Sequence, residues 1–210
     1  MRVLSSLEEK KKIRHIMNAA AFRGHLGVLK HWREQSRRQK GLFAKQTSAF
    51  AALGGHLDVL EYLHKNHCPL DEVTCYYAAK GGHLEVLKYA HENGCPLDER
   101  TCEAAATRGD LEMLKYAHEN GCPWHEWTFW IAASRGHLVV LKYAHENGCP
   151  WNEETCAGAA GGGHLEVLKY AHENGCPWNE DTFHRAEIQN QQEVIKYLLD
   201  RYSVCAFNSF

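Results

Sequence analysis

Proline and methionine are scarce in this sequence, five and three residues in 210. Long apolar runs are missing altogether. The longest are a handful of residues, far short of the roughly 20 that a bilayer-spanning helix needs, so no membrane insertion is expected. The opening Met1-Arg2-Val3-Leu4 leads straight into charged residues without an apolar h-region, which predicts no secretory signal and an intracellular, cytoplasmic chain. The bias that keeps a chain unfolded is absent too, since 44% of residues are hydrophobic and 24% charged. No phosphate-binding loop is present: Gly161-Gly162-Gly163 joins two helical stretches with no strand before it, so the dinucleotide fingerprint lacks its context. No nucleophile stands at a recognisable spacing from a base. These absences predict a protein that is not an enzyme and carries no cofactor.

What the chain has is repetition. The phrase His-Leu-Glu-Val-Leu-Lys-Tyr-Ala-His-Glu-Asn-Gly-Cys-Pro, complete or nearly so, begins at His83, Asp110, His137 and His164, in steps of 27 residues. A worn copy begins at His56 and a more worn one at Gln191. A fixed period of this size marks a stack of small units. Net charge is -2, but residues 1–45 hold 12 Lys+Arg against 3 Asp+Glu, a balance of +9. The remaining 165 residues hold 12 against 23, a balance of -11.

One unit, Asp98 to Pro123, reads as two helices. Asp98 is a good N-cap, with Glu99 in the first turn. Leu97 and Cys102 have the spacing of a hydrophobic staple, and the column continues as Leu70, Trp124, Trp151 and Trp178. A first helix runs through Ala104-Ala105-Ala106 to about Thr107, and Arg108-Gly109 ends it. A second begins near Asp110-Leu111, carries Leu111, Met113, Leu114 and Ala117 at helical spacing, and stops at Gly121. Pro123 forbids continuation.

The run Ala132-Ala133-Ser134-Arg135-Gly136-His137-Leu138-Val139-Val140-Leu141, continuing to Gly148-Cys149, resembles the ankyrin repeat. Thr128-Phe129-Trp130 takes the place of that family's Pro-Leu-His. The resemblance covers about residues 13–203. It implies an all-α helix-turn-helix solenoid of about seven repeats with shortened hairpins, similar to the expanded ankyrin families of large DNA viruses and some protists. Seven copies are placed by their second-helix starts, His25, His56, His83, Asp110, His137, His164 and Gln191. The organisation expected is a basic N-terminal cap and first degenerate repeat (1–41), five repeats (42–181), and a C-terminal capping repeat and tail (182–210). Ser5 to Glu9 offers a capping-box start, an insertion of four residues lies around Arg37 to Lys40, and the tail from Val204 is expected to fray.

Nine cysteines and fifteen histidines invite a metal or redox reading. Variation between copies opposes it: where Cys75, Cys102 and Cys156 stand, other copies carry Ser48, Phe129 and Phe183. A column that accepts Phe is a packing position, and free Cys behaves as a small buried hydrophobe. Cysteines seven apart, such as Cys149 and Cys156, remain able to approach each other. Histidines at the start of the second helix are expected to bond nearby backbone. No metal site is expected.

The copies differ mainly in helix one and its turns. Its variable columns read Val73, Arg100, Trp127, Glu154, Asp181; then Tyr76, Glu103, Trp130, Ala157, His184; then Tyr77, Ala104, Ile131, Gly158, Arg185. Variation over a constant scaffold is how a stack of repeats would encode a binding surface, on the face that is concave in the ankyrin family. The expected function is a non-catalytic, monomeric scaffold binding another protein through Tyr76, Tyr77, Lys80, Arg100, Glu103, Arg108, Trp127, Trp130 and Arg135. Trp and Arg dominate interface energies; Trp127 and Trp130, three apart, share a helix face, as exposed anchors or as filling between repeats. The alternative is nucleic-acid or anionic-surface binding through Lys10, Lys11, Lys12, Arg14, Arg37, Arg38 and Lys40.

Overall fold

The structure, a computed structural model, describes residues 7–35, 43–124 and 126–207, with side chains from 11 to 201 within those ranges. The capping-box start at Ser5, the insertion around Arg37 to Lys40 and the end of the tail lie outside the described residues. Among the described residues there are fourteen helices and no strand. They run in pairs: α1 (Leu7–Phe22) and α2 (Leu26–Gln35), α3 (Lys45–Gly54) and α4 (Leu57–Lys65), α5 (Glu72–Gly81) and α6 (Leu84–Glu92), and α7 (Glu99–Arg108) and α8 (Leu111–Glu119). Then come α9 (Glu126–Ser134) and α10 (Leu138–Glu146), α11 (Glu153–Gly161) and α12 (Leu165–Glu173), and α13 (Glu180–Ile188) and α14 (Gln192–Phe207). The last helix continues to Phe207, through most of the segment expected to fray.

The pairs form two compact units. One comprises residues up to Ala104 with Glu119–Cys122, the other Ala105–His118 with Pro123 onward. In the first, α1, α3 and α5 pack side by side, as do α2, α4 and α6; in the second, α9, α11 and α13 do so, and α10 packs on α12. From α4 to α12, helix two buries the same three positions in each copy, Val86, Leu87 and Ala90 in one and Val167, Leu168 and Ala171 in another. Truncating such a leucine to Ala costs about 2–5 kcal/mol. The opposite face carries ion pairs at i,i+3, Glu85–Lys88, Glu112–Lys115 and Glu166–Lys169 at 2.8–3.1 Å; exposed pairs of this kind contribute only tenths of a kcal/mol. Where Val139 replaces the glutamate, Lys142 lies instead 5.1 Å over the Tyr170 ring.

In α5, α11 and α13 helix one starts on a polar cap, Asp71, Asn152 or Asn179. Asn179 accepts from the Thr182 backbone N–H at 3.3 Å, and the Thr182 hydroxyl accepts from Asn179 N–H. Thr182 belongs to a buried threonine column, Thr47, Thr74, Thr101, Thr128, Thr155 and Thr182, the third helical position where a side chain can reach back to the cap.

Candidate functional site

First helices are held in register by contacts that run from one copy to the one before it. His164 Nε2 donates to the Ser134 carbonyl at 3.1 Å, and His137 Nε2 to the Thr107 carbonyl at 3.1 Å. His56 reaches Phe22 at 3.1 Å, and Gln191 reaches Gly161 at 3.4 Å. Each acceptor ends a first helix about thirty residues earlier, so the bond is between copies and not the local one expected. The ring needs space to do this. Gly136 adopts φ +75°, and a Cβ built there would lie 2.5 Å from His164 Nδ1. The residue must therefore be glycine twice over, for the left-handed backbone and for the ring above it. Asp110, which replaces the histidine in one copy, instead accepts from the Met113 N–H of its own helix at 3.1 Å.

Cysteine chemistry is spent on the scaffold. Cys68 and Cys176 donate to the carbonyls of Ala44 and Asn152 at 3.2 Å, and Cys122 to Asp98 at 3.0 Å. Thiol contacts join positions twenty apart: Cys75 lies 3.9 Å from the Cys95 carbonyl, Cys156 3.9 Å from that of Cys176, and Ser48 donates to Cys68 Sγ at 2.9 Å. The eight described cysteines are buried as thiols. Burial pushes the Cys149 thiol up to about 12. The hydrogen bond to Cys95, then burial, holds the Cys75 thiol far above its ordinary range, and Cys176 acts likewise on Cys156. Thiols so protonated are poor nucleophiles and poor metal ligands.

The staple column works through ring stacking. Trp124, Trp151 and Trp178 lie flat on His118, His145 and His172, with ring centroids 3.7, 3.8 and 4.0 Å apart. Trp151 also meets Phe129 of the preceding copy at 5.3 Å. In the other unit Leu70 and Leu97 hold this position, and the histidines bond differently: His64 Nδ1 to the Tyr89 hydroxyl and His91 Nδ1 to the Cys95 carbonyl, both at 3.1 Å.

The expected partner-binding residues fall into separate groups. In the first unit Tyr76 and Tyr77 pack at 5.3 Å, with Phe50 6.2 Å from Tyr77. Lys80 Nζ lies 5.5 Å over the Tyr76 ring, and the Arg100 guanidinium 5.5 Å over it as well. Arg100 is itself fixed by Asp98, Nε to Oδ2 at 2.8 Å. Glu103 is half-buried on the same helix.

In the second unit Trp127 is 52% exposed and meets the half-buried Trp130 edge-to-face at 5.1 Å. Trp130 lies against α11 where it has no side chain: a Cβ on Gly158 would stand 3.0 Å from its Cδ1. Its indole N–H is buried without a hydrogen bond. Beside it opens a groove of about 270 Å³ floored by Ala157, Gly158 and Gly161, with Trp130, Ile188 and Arg185 at its sides. Arg185 is tied at 2.7 Å to Asp181 and at 2.8 Å to Glu154. Arg108 and Arg135, both exposed, line a more open depression of about 570 Å³ with Thr107, Ser134 and His137. Ser134 lines both. Ala157, Gly158 and Arg185 stand in the variable columns, yet only Trp130 of the groove was named from sequence as partner-binding, because glycines at 158 and 161 contribute by leaving space. Of the cationic set, Lys11, Lys12 and Arg14 are exposed on α1; the Lys10 side chain and Arg37, Arg38 and Lys40 lie outside the described residues.

The family model for ankyrin repeats in many copies matches residues 49–91 and 75–118. The helix pairs within these residues, α3 to α8, are similar to ankyrin repeats. The ankyrin repeat domain of human ASB11 superposes with a TM-score of 0.66 at 19% identity, over 77% of this chain and 84% of that one. No curated protein sequence matches the chain. Ankyrin repeats are protein–protein interaction modules, typically without catalysis. The six-residue connectors here, such as Asn147–Asn152, contain no strand. Among the described residues no helix is long and apolar enough to cross a membrane, and no three His, Cys, Asp or Glu side chains gather as a metal site would need.

Proposed function

We propose that the chain is a non-catalytic scaffold that holds a protein partner on its first helices and their turns, the face that is concave in ankyrin stacks. The observation that carries this reading is Trp127, a large ring left 52% exposed in a variable column while the repeated positions around it are buried. An exposed indole beside a groove and arginines has the composition of an interface hot spot. In affinity capture from the native cell, Trp127→Ala is expected to lose the partner that wild type retains, with a melting temperature within about 2 °C of wild type. A melting temperature that falls in step with capture would make Trp127 a core residue and remove the reading.

A second reading rests on the exposure of Lys11, Lys12 and Arg14 on α1: this end binds an anionic surface or nucleic acid. Such binding should weaken steeply as salt rises, and an oligonucleotide shift assay at low salt that shows no retardation would remove it.

A further inference from the structure

The surface of the second unit combines two chemistries within one stretch. At the Arg108 and Arg135 end, the lining is cationic and polar, with no carboxylate among its residues. Past Ser134 it becomes an apolar groove between Trp130 and Ile188, the latter 64% exposed. At about 270 Å³ the groove falls below the roughly 300–1,000 Å³ of sites that enclose whole small molecules. It is a receptacle for a side chain.

We infer that this surface takes a segment of a partner protein in which an acidic residue lies close in sequence to a bulky aliphatic or aromatic one. The carboxylate pairs with Arg135, and the apolar side chain enters the groove over Gly158 and Gly161. Arg185 contributes its stem as wall, its guanidinium being bound to Asp181 and Glu154. Charge complementarity favours a peptide over a polyphosphate strand. Residues 46–210 carry 12 Lys+Arg against 23 Asp+Glu, a balance of -11, which repels a long polyanion while a single carboxylate meets Arg135. The inference rests on the binding-scaffold reading and assigns the chemistry of its partner.

Two substitutions separate the halves of the surface. Gly161→Leu fills the groove, and its Cβ would meet Arg185 Cβ at 3.4 Å, an ordinary contact. Arg135→Glu reverses the charge at an exposed site. The test selects a displayed random-peptide library on the full chain and counter-selects on the Arg135→Glu/Gly161→Leu double variant. Recovered sequences should carry Asp or Glu beside Leu, Ile, Phe or Trp. The best of them, as a synthetic peptide, should lose roughly tenfold in affinity on each single variant. Salt should shrink the Arg135→Glu loss and leave the Gly161→Leu loss unchanged. Recovery of sequences without an acidic bias, or of none that prefers wild type, overturns the inference. So does a poly-thymidine oligonucleotide that binds wild type and is lost on Arg135→Glu. Peptides that bind both single variants as wild type but are lost on Trp127→Ala overturn it while leaving the scaffold reading standing.

Discussion

The two units meet the same structural demands with different chemistry. In the first, the histidine that closes helix two makes a hydrogen bond, His64 to Tyr89 and His91 to Cys95, beside Leu70 and Leu97. In the second, the corresponding histidines lie under Trp124, Trp151 and Trp178 as stacked rings. The variable columns diverge likewise. Tyr76 in the first unit already carries two cations of its own chain, Lys80 and Arg100, so its electron-rich ring is occupied. Trp127 and Trp130 in the second pack on each other, edge to face, and leave one indole facing water. A repeated scaffold thus fixes where side chains go, and the substitutions decide whether they are enclosed by their own chain or exposed to solvent.

The largest effect should come from a feature both units share. Gly136→Ala places a Cβ 2.5 Å from His164 Nδ1 at φ +75°, and should cost about 2–4 kcal/mol in urea unfolding. In a His164→Ala background the penalty should be smaller, because the ring is gone; equal penalties in both backgrounds would mean that the ring and the glycine are uncoupled. A smaller effect tests what separates the units. Trp151→Leu gives the second unit the first unit's residue and should destabilise by about 1–2 kcal/mol. Unchanged stability would make leucine and tryptophan equivalent in this column.

The smallest effect is on pH dependence. Burial, assisted by Arg201, lowers the pKa of His172 beneath Trp178 from its ordinary 6.5. The unfolded chain therefore binds this proton more readily than the folded one, and stability rises with pH across the window below about 6.5. Unfolding midpoints measured across that window should slope upward with pH in wild type and more gently in His172→Gln. The same slope in both would show that His172 does not contribute.

Helix boundaries were legible because they are set locally. The cap at Asp98, the stop at Gly121 and the apolar spacing of Leu111, Met113 and Leu114 need only neighbours in the chain, and α7 and α8 begin and end where these residues place them. The destination of the His164 ring was not legible, because its acceptor lies thirty residues away and depends on how copies stack. The thiol contacts were hidden for the same reason: the hairpin brings Cys75 to Cys95, twenty residues on. Trp127 could be named from its column but not assigned to surface or core. The groove escaped because alanine and glycine at 157, 158 and 161 announce no chemistry; only Trp130 and Ile188 around them turn missing side chains into a receptacle.

The bond from His164 to Ser134, set over Gly136, has a consequence for how such a chain changes in length. Each copy of this kind offers a socket, the glycine and the carbonyl before it, to its successor, and presents a plug, the histidine, to its predecessor. A duplicated or deleted stretch of 27 residues carries one socket and one plug, so the junction it leaves is matched without further substitution. Copy number can then drift by recombination while the joints made by such copies stay complete, and the variable residues of helix one are shuffled as whole cassettes.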